Sequence, residues 1–173
     1  MDYVFVKDSE GYVFKKLQSE VSSDEKIISE KEYMKISITN ENWNNNLQII
    51  YYSFEIVDII KISTYIISMK FTVEKLSQAK AEIDSLEQFQ KDMLEADYKK
   101  IQEQGIEFVR VKLIQKEIFE IKTNELRSLF KYAAGRIIVV GVVFVKKTKK
   151  TPKEKIKLAK QRLKEVWLWI MFL

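Results

Sequence analysis

The side chains of this 173-residue chain that could do chemistry are cations and a few carboxylates, because it contains no histidine and no cysteine. Disulfides, zinc sites built on Cys or His, and imidazole acid–base catalysis are therefore excluded. The cations are concentrated: ten lysines and arginines lie between Lys146 and Lys164, most densely in FVKKTKK. Such density suits a polyanion, and Lys146, Lys147, Lys149, Lys150, Lys153 and Lys157 are the expected RNA-phosphate contacts. Cleaving RNA needs neither metal nor cofactor, since the 2′-hydroxyl is a built-in nucleophile. The protein must align it, take its proton and neutralise the phosphorane. Arg127 would do the last, with Lys112 and Lys122 flanking the scissile group. A lysine crowded by other cations gives up its proton more easily and can act as the base. Glu120 is the other candidate base, an ion pair with Lys122 or Arg127 being an equal alternative. No carboxylate cluster lies in the basic region, which speaks against a two-metal nuclease, and neither metal nor cofactor is expected.

The charge is divided along the chain. Residues 1–45 carry nine acids and six bases, residues 46–105 ten acids and seven bases, and residues 106–173 six acids and seventeen bases. The basic part is thus expected to meet a polyanion, although a solvated lysine-rich surface would give the same count. The start, MDYVFVKDSE, lacks the basic-then-apolar layout of a secretory signal, so a cytoplasmic protein is expected. The apolar segment from Leu47 to Phe71 is interrupted by Glu55, Asp58 and Lys61. Each is costly at a bilayer centre, and no run approaches the roughly 18 residues a spanning helix needs. A buried core element is expected there, and no membrane.

Elements that could position the cations follow from pattern. DYVFVK and YVFKK alternate around DSEG, a hairpin whose turn ends at Gly11. A short helix is expected near Ser29 to Ile36, then an Asn-rich linker from Ile38 to Asn46. STYIISMKF reads as a strand. From Thr72 to Gln104, Leu76, Ala79, Ile83, Leu86, Phe89, Met93 and Ile101 recur at helical steps. A break near Asp84–Ser85 would give two antiparallel helices, Ser85 capping the second and Gly105 ending it. Four strands follow: EFVRVKLI, EIFEIK, ELRSLFKY and RIIVVGVVFV. AAG joins the last two, and Gly141 marks a bulge or close approach. Alternation puts Val109, Val111 and Leu113 on one face and Arg110, Lys112 and Ile114 on the other, with Ile118, Glu120 and Lys122 sharing a face. The chain ends in a basic helix with a T-P-K-E capping box, Thr151 as N-cap, and then the apolar tail Trp167–Leu173. The expectation is an α+β fold in three parts: a small module over 1–45, an apolar connection over 46–68, and the main domain over 69–173.

The stretch VRVKLIQKEIFEIKTNELRSLFKYAAGRIIVVGVVFVKKTKKTPKEKIKLAKQRLKEV resembles the RelE/HigB toxins of type II toxin–antitoxin systems, in particular their phage-derived branch. The resemblance rests on Lys112, on Glu120-Ile121-Lys122 in place of an E-L-R strand, on Arg127 with Phe130 and Tyr132, and on Phe144 to Pro152. It covers about residues 71–166, more closely from Val109 onward. It implies two helices packed on a curved antiparallel sheet, followed by the basic helix. The implied activity is ribosome-dependent cleavage of mRNA that inhibits translation, and the implied partner is a helix-turn-helix antitoxin. Three departures stand out: Lys122 replaces the arginine of E-L-R, no His precedes FVKKT, and no Tyr or His follows in the last helix. The alternative expectation is a non-catalytic, phage-encoded inhibitor reusing this fold against a host nucleoprotein complex.

Overall fold

The computed structural model describes residues 2–37, 71–133, 136–148 and 150–164. The linker, nearly all of the STYIISMKF strand, the two residues 134–135 of AAG, Lys149 and the tail Trp167–Leu173 lie outside the described residues. Among the described residues the architecture is α+β, with four α-helices and one eight-stranded sheet.

The chain opens with the hairpin β1 (Tyr3–Lys7) and β2 (Val13–Leu17), then β3 (Lys26–Ile28) and α1 (Glu30–Ser37). Strand β4 (Thr72–Lys75) leads into α2 (Ser77–Asp84) and α3 (Gln88–Glu103). The antiparallel run β5 (Arg110–Gln115), β6 (Ile118–Thr123), β7 (Leu126–Ala133) and β8 (Ile137–Val145) follows, and α4 (Lys153–Leu163) closes the described chain. Strand order is β3-β1-β2-β5-β6-β7-β8-β4. The sheet is mixed rather than purely antiparallel, because β4 lies parallel to β8, Thr72 opposite Ile137. The N-terminal hairpin extends this same sheet, through the single register pair Val13–Val111 between β2 and β5.

The sheet is buried on both faces. Ala79 and Ile83 of α2 and Leu94, Tyr98 and Ile101 of α3 pack with Val111, Phe119, Ile121, Phe130 and Val140. On the other face Ala159 and Leu163 of α4 pack with Ile118, Leu129, Val139, Val142 and Phe144. Each such large side chain contributes about 1.5–3 kcal/mol. A third cluster, Val13, Ile28 and Tyr33 with Phe5, Met34 and Ile36, belongs mostly to the N-terminal elements.

Gly141 is the bulge. Leu129 pairs with Val142 and Phe130 with Val140, which leaves Gly141 as the extra residue of β8. Without it, Val142 could not face α4 while Val140 faces α2 and α3. A side chain has no room there, since a Cβ would sit 2.7 Å from Leu163 Cγ.

Several local expectations are corrected. Thr72–Lys75, at the start of the stretch expected to be helical, is strand, because it pairs in parallel with β8. Ser85 closes α2, its hydroxyl donating to the Glu82 carbonyl at 2.7 Å. Glu87 caps α3 instead, in a capping box with Gln90. Phe89 is exposed, and Leu94 and Tyr98 take the core positions of α3. The N-cap of α4 is Pro152 and carries no side-chain cap bond. Thr151 turns its hydroxyl elsewhere, to Glu120.

Candidate functional site

Three neighbouring strands carry the expected cations on the face that packs α4. Register places Lys112 opposite Glu120 and Arg110 opposite Lys122 between β5 and β6, and Lys122 opposite Arg127 between β6 and β7. Lys146 follows β8 directly and is anchored by its own N–H, which donates to the Glu125 carbonyl at 2.8 Å. Lys112, Glu120, Lys122, Arg127 and Lys146 therefore form one cluster. The remaining expected cations point to solvent: Lys147 and Lys150 in the turn, and Lys153 and Lys157 on α4, are exposed.

Tyr12, at the foot of β2, fills the centre. The nitrogens of Lys112 and Lys122 lie 5.5 and 5.2 Å from its ring centre, and the Arg127 guanidinium carbon 5.5 Å. Those are cation–π distances. Its hydroxyl donates to Glu120 Oε1 and accepts from Arg127 Nε at 2.9 Å. Glu120 is fully buried. Its second oxygen accepts from Thr151 Oγ1 at 2.6 Å, and Arg127 Nε lies 3.5 Å from its first. Arg127 Nη1 donates to the carbonyls of Asn124 and Leu126, each at 2.7 Å. With both oxygens engaged beneath Tyr12, Glu120 lies within ion-pair distance of Arg127.

Glu10, at the hairpin tip, completes the arrangement. Lys122 Nζ donates to its Oε1 at 2.5 Å, while Arg127 Nη2 and Lys146 Nζ lie 3.7 and 3.9 Å from its Oε2. Lys112 Nζ donates to the Glu10 main-chain carbonyl at 2.5 Å. The Lys122 hydrogen bond, with the charges of Lys122, Lys146 and Arg127, holds the Glu10 carboxyl below its usual range against a smaller opposing effect of burial. Burial, reinforced by Glu120, pushes the Tyr12 phenol well above its ordinary value. Burial also lowers the Lys146 ammonium, with Arg127 and Lys112 adding to the effect and Glu120 and Glu10 opposing it. Four cations thus face two carboxylates, an excess of positive charge. Among the described residues, no group of three or more acidic side chains is placed to hold a metal ion.

Residues 81–164 match the model of a family described as phage-derived protein Gp49-like (DUF891). That family is related to the HigB toxins. A search of curated proteins finds no significant match to the chain. The Gp49-like region holds the end of α2, all of α3, β5 to β8, and α4, and so supplies Lys112, Glu120, Lys122, Arg127, Lys146 and Thr151. Glu10 and Tyr12 come from outside it. Sequence reasoning missed both, because a tyrosine after a turn and a glutamate within one have ordinary local explanations. The available signal was complementarity: an acidic hairpin tip in the acidic part of the chain, opposite an excess of lysines.

Among the described residues, no helix is long and apolar enough to cross a membrane.

Proposed function

We propose that the Gp49-like region is a metal-independent endoribonuclease that cleaves mRNA on the ribosome, the toxin of a type II pair held in check by a helix-turn-helix antitoxin. The observation that carries this reading is the convergence of Lys112, Lys122, Arg127 and Lys146 on one anion-sized position. Lys122 and Lys146 would bind the non-bridging oxygens of the scissile phosphate, and Arg127, fixed by Glu120 and two carbonyls, would neutralise charge gathering on the phosphorane. The 2′-oxygen attacks phosphorus and the 5′-oxygen leaves, giving a cyclic phosphate and a 5′-hydroxyl. Lys146, whose hold on its proton burial and the neighbouring Arg127 and Lys112 lower, would take the proton of the 2′-hydroxyl and return it to the departing 5′-oxygen. Exposed Lys147, Lys150, Lys153 and Lys157, with Lys149, would track the flanking RNA backbone.

The test is expression in a bacterial host with mapping of mRNA 5′-ends. Growth arrest and new 5′-hydroxyl ends, both lost in Lys122→Ala/Lys146→Ala, are expected. Arrest that persists in that variant would refute the assignment. A second reading, a non-catalytic inhibitor aimed at a host nucleoprotein complex, is favoured by one observation: Tyr12, 1 % exposed, occupies the middle of the cluster. It predicts a captured protein partner and intact mRNA.

A further inference from the structure

We propose that Glu10 stands where an RNA phosphate would bind, so that the hairpin tip Asp8–Tyr12 is a built-in competitor holding the site closed. This rests on the cluster being an RNA site. One Glu10 oxygen meets Lys122, the other faces Arg127 and Lys146, and the adjoining carbonyl takes Lys112. An anionic group with two oxygens among three cations, and a third oxygen on a fourth, reproduces the contacts of a phosphodiester. Tyr12 beside it lies under those same cations, as a stacked base or ribose would.

The tip is preformed for this task. The Asp8 carboxylate accepts the N–H groups of Glu10 and Tyr12 at 3.0 and 2.9 Å, and the Gly11 N–H donates to the Asp8 carbonyl at 2.9 Å. Gly11 takes φ +86, which aims Glu10 and Tyr12 at the cluster with no strain on a side-chain-bearing residue. The module carrying the tip keeps a small core of its own, around Val13, Ile28 and Tyr33. It joins β5 through one register pair, Val13–Val111. Beyond that pair, a cleft of about 720 Å³ opens, lined by Phe14 and Lys16 of β2, Asp97 of α3 and Arg110 of β5. Besides that pair, the Tyr132 hydroxyl donates to the Ser37 carbonyl at 2.9 Å and Arg110 lies 3.7 Å from Glu25, so RNA entry requires displacement of the tip itself rather than of the whole module.

The experiment measures binding of a labelled, fully 2′-O-methylated single-stranded RNA, which cannot be cleaved, to the full chain by fluorescence anisotropy. Glu10→Gln keeps the shape and removes the charge, and Glu10 is half exposed, so folding is not at stake. Expected is at least tenfold tighter binding in Glu10→Gln, with a steeper dependence on salt as more phosphates are engaged. The control Glu20→Gln removes an exposed charge of the same module and should change affinity little. Equal or weaker binding by Glu10→Gln, or an equal gain in Glu20→Gln, overturns the proposal. Unmodified mRNA presented on translating ribosomes separates the two readings. Cleavage by Glu10→Gln supports both, while tight binding with intact RNA sinks the nuclease and leaves the competition standing. Cleavage by the wild type with no gain in Glu10→Gln does the reverse.

Discussion

Thr151 Oγ1 donates to Glu120 Oε2 across 2.6 Å, tying the turn before α4 to the floor of the cationic cluster. A threonine just before a helix would ordinarily cap it, and substitution separates the two roles. Thr151→Val should cost about 1–3 kcal/mol, because a buried carboxylate oxygen loses its donor. Thr151→Asp, a good N-cap residue, should cost more than Thr151→Val, since it sets a second carboxylate beside Glu120. Urea denaturation checks the order, and an Asp variant as stable as wild type would restore the capping role.

Glu120→Ala leaves the Arg127 guanidinium, 4 % exposed, without its buried carboxylate partner and with only the half-exposed Glu10 at 3.7 Å. Breaking a buried pair in this way costs roughly 3–5 kcal/mol. Glu120→Gln, which keeps an acceptor for Tyr12 or Thr151, should lose less. Equal losses in the two variants, measured by denaturation, would show that the acceptor kept by Gln contributes nothing and that the loss is that of the charge.

Glu107 gives the fold a pH dependence. It is 2 % exposed in the short turn between α3 and β5, and its Oε2 has no hydrogen-bond partner among the described residues. Burial pushes its carboxyl from an ordinary 4.5 up to about 7. The folded state therefore keeps a proton that the unfolded chain releases, and stability falls as pH rises from about 4.5 to about 7, then levels. The full loss is roughly 3 kcal/mol. Glu107→Gln should remove this slope in denaturation series run across that range; an unchanged slope would assign it elsewhere.

Glu82 braces the free half of β8. Its Oε2 accepts the Val143 N–H at 2.7 Å and its Oε1 accepts from Arg162 Nη1 at 2.8 Å, while that same nitrogen also donates to the Gly141 carbonyl at 2.9 Å. Glu82→Ala should cost about 1–3 kcal/mol and speed hydrogen exchange at the Val143 amide. Gly141→Ala attacks the same corner by steric means, at about 1–3 kcal/mol through displaced Leu163. A Val143 amide unaffected by Glu82→Ala would show that β4 and α2 protect the edge without it.

The fold was legible wherever local pattern and tertiary context agreed. Strict alternation fixed the faces of β5 and β6, so Val111 and Lys112 fall on opposite sides as expected. Gly11 and Gly105 both adopt positive φ at predicted stops. Legibility failed where distant partners decide. Thr72–Lys75 opens the stretch expected to be helical yet becomes a strand because β8 offers a parallel edge, and no periodicity within four residues reveals that. Phe89 and Met93 fit an apolar stripe, but the sheet selects Leu94 and Tyr98 in their place, alongside the expected Ile101. In the site, Lys112, Lys122 and Arg127 could be brought together on paper because register follows from short turns. Glu10 could not, because its lysine partners on β5 and β6 lie 102 and 112 residues away and long-range packing of the hairpin brings them into contact.

That separation has a direction in time. The hairpin leaves the ribosome first, and the lysines it contacts follow 102 and 112 residues later. N-terminal units generally fold as they emerge, so a formed tip is already waiting when β5 and β6 arrive. On the proposed reading, nascent copies would emerge with the cationic cluster already covered.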